Sequence, residues 1–152
     1  MIESKTILIN NLKSYYNVRS IRLLARKMNY SHSILLNWSS NRSSPSISQL
    51  NEIAYNLGVE ASQLLIENNV LTLSTPIWKD NVEKKLIENL DRLKLEKDIN
   101  EKTFNENCGM SYRSFLRFTN GKSKIINLRN LDTLACILSV NTYELLEGRL
   151  KE

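Results

Sequence analysis

Glycine and proline are scarce, with four and two in 152 residues. A chain so poor in turn formers is not an all-β fold of many short strands. Histidine occurs once, as His32, and cysteine twice, as Cys108 and Cys136. A zinc site needs about four ligands, and a His-based dyad needs a nucleophile beside its imidazole; neither pattern is present. With no second pair nearby, the two thiols read as reduced, small apolar packing residues. No apolar run approaches the roughly 20 residues that span a bilayer. The opening MIESKTILINNLKSYY has an early acidic residue and no small-residue cleavage site, so no secretory signal is expected. A glycine-rich phosphate loop is missing, and Asp and Glu are scattered over helix exteriors. These absences lead us to expect a cytoplasmic protein that is not an enzyme, holds no cofactor or metal and has no membrane partner.

What is present is helical. Hydrophobic residues make up 41% of the chain, and 21 Lys and Arg against 16 Asp and Glu give a formal charge of +5. A basic balance favours a polyanionic partner without identifying it. Residues 5–16 carry Ile9, Leu12 and Tyr16 at helical spacing. Ile21, Leu24, Ala25 and Met28 form the stripe of a second short helix. Asn29-Tyr30 breaks it, and Ser31 can cap a third helix holding Ile34, Leu35 and Trp38. Two short helices so joined are a helix-turn-helix. After a polar loop and Pro45, Ser46 and Gln49 suit a capping box for a helix carrying Ile47, Leu50, Ile53, Ala54 and Leu57. Gly58 suits its left-handed cap, and Val59 to Leu65 is expected as a closing helix.

This order resembles the lambda repressor/Cro-like (XRE) family of DNA-binding domains. The resemblance rests on Leu24-Ala25, Ser31, Trp38, Pro45 and the ending Leu50…Ile53-Ala54…Leu57-Gly58-Val59…Leu64-Leu65. The chain departs from the family at Ser39, where Glu is usual, and at Asn41, where Gly is favoured, although Asn also tolerates the left-handed region.

The second half repeats the first. A shift of 81 maps Leu131, Ala135, Leu138, Val140, Leu145 and Leu146 onto Leu50, Ala54, Leu57, Val59, Leu64 and Leu65, all identical. A shift of 80 fits the helix-turn-helix better, setting Phe104 on Leu24, Cys108 on Met28, Ser111 on Ser31, Phe115 on Leu35 and Phe118 on Trp38. Between the halves, Asn68 to Thr75 is too apolar for a flexible tether, and Val70, Leu71 and Leu73 are expected to pack between them. Thr75 and Pro76 then suit the start of a long helix with Trp78, Val82, Leu86, Leu90 and Leu93 on one face. The expected fold is therefore all-α: two tandem lambda-repressor-like five-helix domains, residues 1–70 and 71–152, the second opening on a long helix from Pro76.

The resemblance implies that the second helix of each helix-turn-helix enters the major groove by its N-terminal half, with neighbouring loops on phosphates. Carried over residue by residue, it makes His32, Ser33 and Asn37 base-reading candidates, with Arg42 in the following loop. In the second copy the candidates are Tyr112, Arg113 and Arg117, followed by Lys122 and Lys124. Arg can pair bidentately with guanine and Asn with adenine. The second reading face is strongly basic and the first nearly neutral, so the second copy is expected to dominate affinity. Leu36 and Leu116 are expected to be exposed, able to meet a thymine methyl or a protein. The implied partner is a double-stranded DNA operator and the implied function sequence-specific transcriptional regulation, by repression. A homodimer through the helix beginning at Pro76 is one assembly, and a monomer reading two unlike half-sites is another. The alternative function is a helix-turn-helix scaffold that binds and inhibits another protein, such as an antirepressor or an inhibitor of a nucleic-acid-processing enzyme.

Overall fold

The computed structural model describes residues 2–71, 81–124 and 127–147. Among them are seven α-helices, three short 3-10 helices and no strand, so the fold is all-α. The first half holds α1 (Ser4–Tyr16), α2 (Ile21–Met28), α3 (His32–Ser39) and α4 (Ile47–Leu57), then a 3-10 turn at Ala61–Leu65. The second holds α5 (Asn81–Glu96), a 3-10 turn at Glu106–Cys108, α6 (Tyr112–Thr119), α7 (Leu128–Leu138) and a 3-10 turn at Thr142–Leu145.

Local chemistry sets these boundaries. Ser20 accepts a bond from Leu23 N at 3.1 Å and Ser31 one from Ile34 N at 3.3 Å, capping α2 and α3. Ser46 and Gln49 form the reciprocal box at the start of α4, both bonds 2.9 Å. Helix ends fall on left-handed residues: Asn17, Asn29 and Asn41 at φ 55°, 54° and 66°, and Gly58 at φ 74°. Asparagine tolerates this region because its short amide can bond locally, which explains how so few glycines serve so many helix ends.

The second half differs from the first in one element. Where the first half has α2, residues 100–110 form turns around the single 3-10 turn at Glu106–Cys108. The physical reason lies in the side chains. IRLLARKM is rich in Leu, Arg, Ala, Lys and Met, strong helix formers. The later segment instead carries residues that bond their own backbone. Asn100 Oδ1 accepts from Lys102 N at 2.9 Å and Asn105 Oδ1 from Asn107 N at 3.0 Å, competing with a helical ladder.

That segment is anchored covalently. Cys108 and Cys136 form a disulfide, with Cα atoms 5.8 Å apart, which corrects the expectation of two reduced packing thiols. The 3-10 turn packs against α7 and brings together thiols 28 residues apart in sequence. Their Cα separation is within the range a disulfide spans.

The core is one continuous cluster drawn from both halves. Leu8 and Leu12 of α1, Leu24, Leu35, Trp38 and Leu50 fill the first half, while Leu86, Leu90, Phe115, Leu131 and Leu134 fill the second. A buried asparagine closes each. Asn11 Nδ2 donates to Leu64 O and Ile66 O, both at 2.9 Å. Asn89 Nδ2 donates to Leu145 O at 2.7 Å and Glu147 O at 3.0 Å. The first helix of each half thus bonds one carbonyl at the end of its closing 3-10 turn and one just beyond it.

The halves meet through residues that the shift of 81 makes equivalent. Ser46 and Asn127 pair in an isolated antiparallel bridge, and Leu128 N donates to Pro45 O at 2.9 Å. The two closing turns, Ala61–Leu65 and Thr142–Leu145, pack on each other. At these two places a segment of one half meets its equivalent in the other. Asp132 on α7 adds a polar tie, accepting from Ser4 N at 3.0 Å, from the Ser4 hydroxyl and from Thr142 Oγ1 at 2.7 Å.

The linker differs from expectation. Val70 is 85% exposed, so it packs between nothing, whereas Leu71 lies against the core. Leu73, Thr75, Pro76 and Trp78 lie outside the described residues, as does the side chain of Val82; the expected helix start and dimer contact at Pro76 fall there.

Candidate nucleic-acid interface

Two equivalent helices, α3 and α6, carry most of the candidate reading residues. Each starts at a serine whose hydroxyl accepts from the backbone three residues on: Ser31 from Ile34 N, and Ser111 from Ser114 N at 3.1 Å. Each is seated by aromatic and aliphatic side chains on its inner face. In α3 these are Leu35 and Trp38, fully buried, with Tyr30 against Trp38 at a ring separation of 5.8 Å. Burial, then the nearby Glu52 carboxylate, pushes the Tyr30 phenol above its ordinary range, so it stays neutral at physiological pH. In α6 the seat is Phe115, with Phe104 at 5.5 Å.

The outer faces differ. On α3, His32, Ser33 and Leu36 are exposed and Asn37 is half-buried. On α6, Arg113 and Arg117 are exposed, while Tyr112 is half-buried with its ring 5.2 Å from Phe104. The Tyr112 ring is thus committed to packing. Leu116 is half-buried, in contrast to the exposure expected for it.

The loops after these helices hold the remaining candidates. Arg42, Lys122 and Lys124 are exposed. Arg117 Nε donates to Ser123 Oγ at 3.2 Å, which fixes one edge of the guanidinium and leaves its terminal nitrogens for a planar acceptor. Lys124 lies 3.8 Å from Glu83 of α5, a solvated pair worth little energetically. In the first half a different cation holds this region. Lys5 of α1 is buried and donates to Trp38 O at 2.9 Å and to Asn41 Oδ1, satisfying carbonyl and amide at the C-terminal end of α3.

Sequence reasoning missed a second set of cations. Arg19, Arg22, Arg26 and Lys27 are all exposed on or beside α2. Arg22 and Arg26, one helical turn apart, therefore share a face. Their spacing is legible in the sequence, but the reading helix α3 by itself carries no Lys or Arg. The first half's positive charge sits on the helix before the reader. The second half carries its positive charge on the reader itself, and Glu101 and Glu106 occupy the segment before it.

Among the described residues no group of three or more His, Cys, Asp or Glu side chains could hold a metal ion. No described helix is long and apolar enough to cross a membrane. The open cleft between the halves is bordered by Ile7, Leu65, Glu67, Asn141 and Tyr143. Comparison with protein-family models, curated proteins and solved structures finds no match to this chain.

Proposed function

We propose that this chain is a lambda repressor/Cro-like regulator that binds double-stranded DNA through α3 and α6. The observation that carries this reading is the pairing of two capped, equivalently seated helices with exposed polar faces. The loops behind them are joined by the Ser46–Asn127 bridge. Arg113 and Arg117 supply direct base contacts, Lys122, Lys124 and Arg42 supply phosphate contacts, and His32, Ser33 and Asn37 supply a polar reading face. Arg22 and Arg26 add phosphate contacts on the first side. Repression follows if the operator overlaps a promoter, because the bound protein then blocks polymerase. The protein acts in the cytoplasm and is not an enzyme.

A second reading is favoured by a specific feature. Leu23 and Leu36 are 43% and 46% exposed on the first helix-turn-helix, where a protein partner could cover them. In that case the fold serves as a scaffold that inhibits a partner protein.

The two readings separate in one experiment. The chain is used to select from a pool of randomised duplexes, and the enriched duplex is compared with a scrambled one by fluorescence anisotropy at two salt concentrations. Enrichment of a defined sequence, with scrambled binding lost more steeply as salt rises, is the expected result. Failure to enrich any sequence at low salt would defeat the DNA-binding reading in favour of the scaffold.

A further inference from the structure

We infer that one chain binds DNA as a built-in dimer of unlike halves, and that its operator is a pseudo-palindrome with a guanine-containing half read by α6. This rests on the DNA-binding reading above and specifies the DNA that it takes.

The argument starts from the contacts between the halves. A homodimeric reader matches DNA because a two-fold axis of the protein coincides with a two-fold axis of the duplex backbone. In this chain the self-equivalent contacts occur within one molecule. Ser46 meets Asn127, and the turn at Ala61–Leu65 meets the turn at Thr142–Leu145. Asp132 fastens the arrangement to Ser4 and Thr142. A two-fold rotation keeps equivalent elements at one height along its axis, so α3 and α6 flank it together. The contacts that a second chain would make at this axis are already made internally.

Backbone symmetry is not matched by side-chain symmetry. At equivalent positions Ser33 faces Arg113 and Asn37 faces Arg117 under the shift of 80. Two exposed guanidiniums suit the O6 and N7 acceptors of guanine in the major groove. The α3 face, with Ser33, Asn37 and the exposed Leu36, carries no Lys or Arg on the helix and suits an A·T-containing half, where adenine offers N6 and N7 and thymine its methyl. A palindrome would present one of the two helices with the wrong bases.

The test uses the full chain and the duplex recovered by selection. Native mass spectrometry is expected to find one chain per duplex, and the selected sequence is expected to have two unlike halves. Arg113→Ala and Arg117→Ala should each weaken binding by roughly 5- to 150-fold. Renewed selection with either variant should relax the guanine-containing half and leave the other intact. Both arginines are exposed, so thermal unfolding of the variants serves as the control for folding. A palindromic site holding two chains would overturn the inference while leaving DNA binding standing, as would equal relaxation of both halves by either variant. Selection that enriches nothing removes the DNA-binding reading itself, and this inference with it.

Discussion

Asn11 and Asn89 make the strongest test of how each half is closed, because each does the same work at an equivalent place. Asn11 is 2% exposed and Asn89 4%, and each amide donates twice to carbonyls at and just beyond the end of a closing 3-10 turn. Replacing either by Ala removes two hydrogen bonds, worth about 1 kcal/mol each in net terms. It also leaves Leu64 O or Leu145 O buried without its donor, which adds roughly another 1–2 kcal/mol. The expected loss is therefore about 3–4 kcal/mol for Asn11→Ala or Asn89→Ala, read as a lowered urea midpoint with an unchanged slope. Aspartate sharpens the argument, since it keeps the shape but sets a carboxylate against two carbonyl oxygens. Asn11→Asp should be worse than Asn11→Ala at neutral pH, and Asn11 is the site to use because Asn89 Oδ1 already accepts from the Arg92 guanidinium at 3.2 Å. The same crowding raises the carboxyl pKa in the folded state above its unfolded value, so the native protein binds the proton more tightly. The Asp deficit should then shrink as pH falls through that raised value, when the carboxylic acid can donate to one carbonyl. An alanine loss under about 0.5 kcal/mol at both sites, or an Asp variant no worse than Ala, would refute this account.

Three further predictions follow from single features. Reducing the Cys108–Cys136 disulfide frees a loop of 28-residue separation and should cost about 3–4 kcal/mol in the chain-entropy treatment; identical urea midpoints for oxidised and reduced protein would contradict it. Ser139 ends α7 at φ 56°, where the equivalent residue of α4 is Gly58; Ser139→Gly should raise stability by roughly 1 kcal/mol, and a calorimetric Tm that falls instead would count against left-handed strain there. Burial, then Glu144 and Glu60, raises the Glu147 pKa, so its contribution favours folding below the unfolded carboxylate range and is lost as pH rises through the folded value. Glu147→Gln should accordingly stabilise the protein at neutral pH and give no gain in acid, as paired denaturation curves would show.

Much of the fold was written locally. Serine caps, the Ser46–Gln49 box and left-handed stops at Asn29, Asn41 and Gly58 depend on a few neighbouring residues, and the sequence determined them unaided. So did the apolar stripes that bury Leu24, Leu35, Trp38, Leu50 and Leu131. The candidate reading residues were legible for the same reason, since position on a short capped helix largely decides exposure. Tyr112 and Leu116 escaped because their burial depends on Phe104 and the turns around it, brought in from the segment that was expected to be a helix. Tertiary structure alone decided three things. The disulfide depends on the 3-10 turn at Glu106–Cys108 lying against α7, which no spacing between Cys108 and Cys136 encodes. The buried roles of Lys5, Asn11 and Asn89 depend on carbonyls far away in sequence, so each polar residue reads locally as a solvated position. The pairing of the halves at Ser46 and Asn127 depends on surfaces that meet only after each half has folded. Periodicity records which face of a helix is apolar, but it does not record what that face will meet.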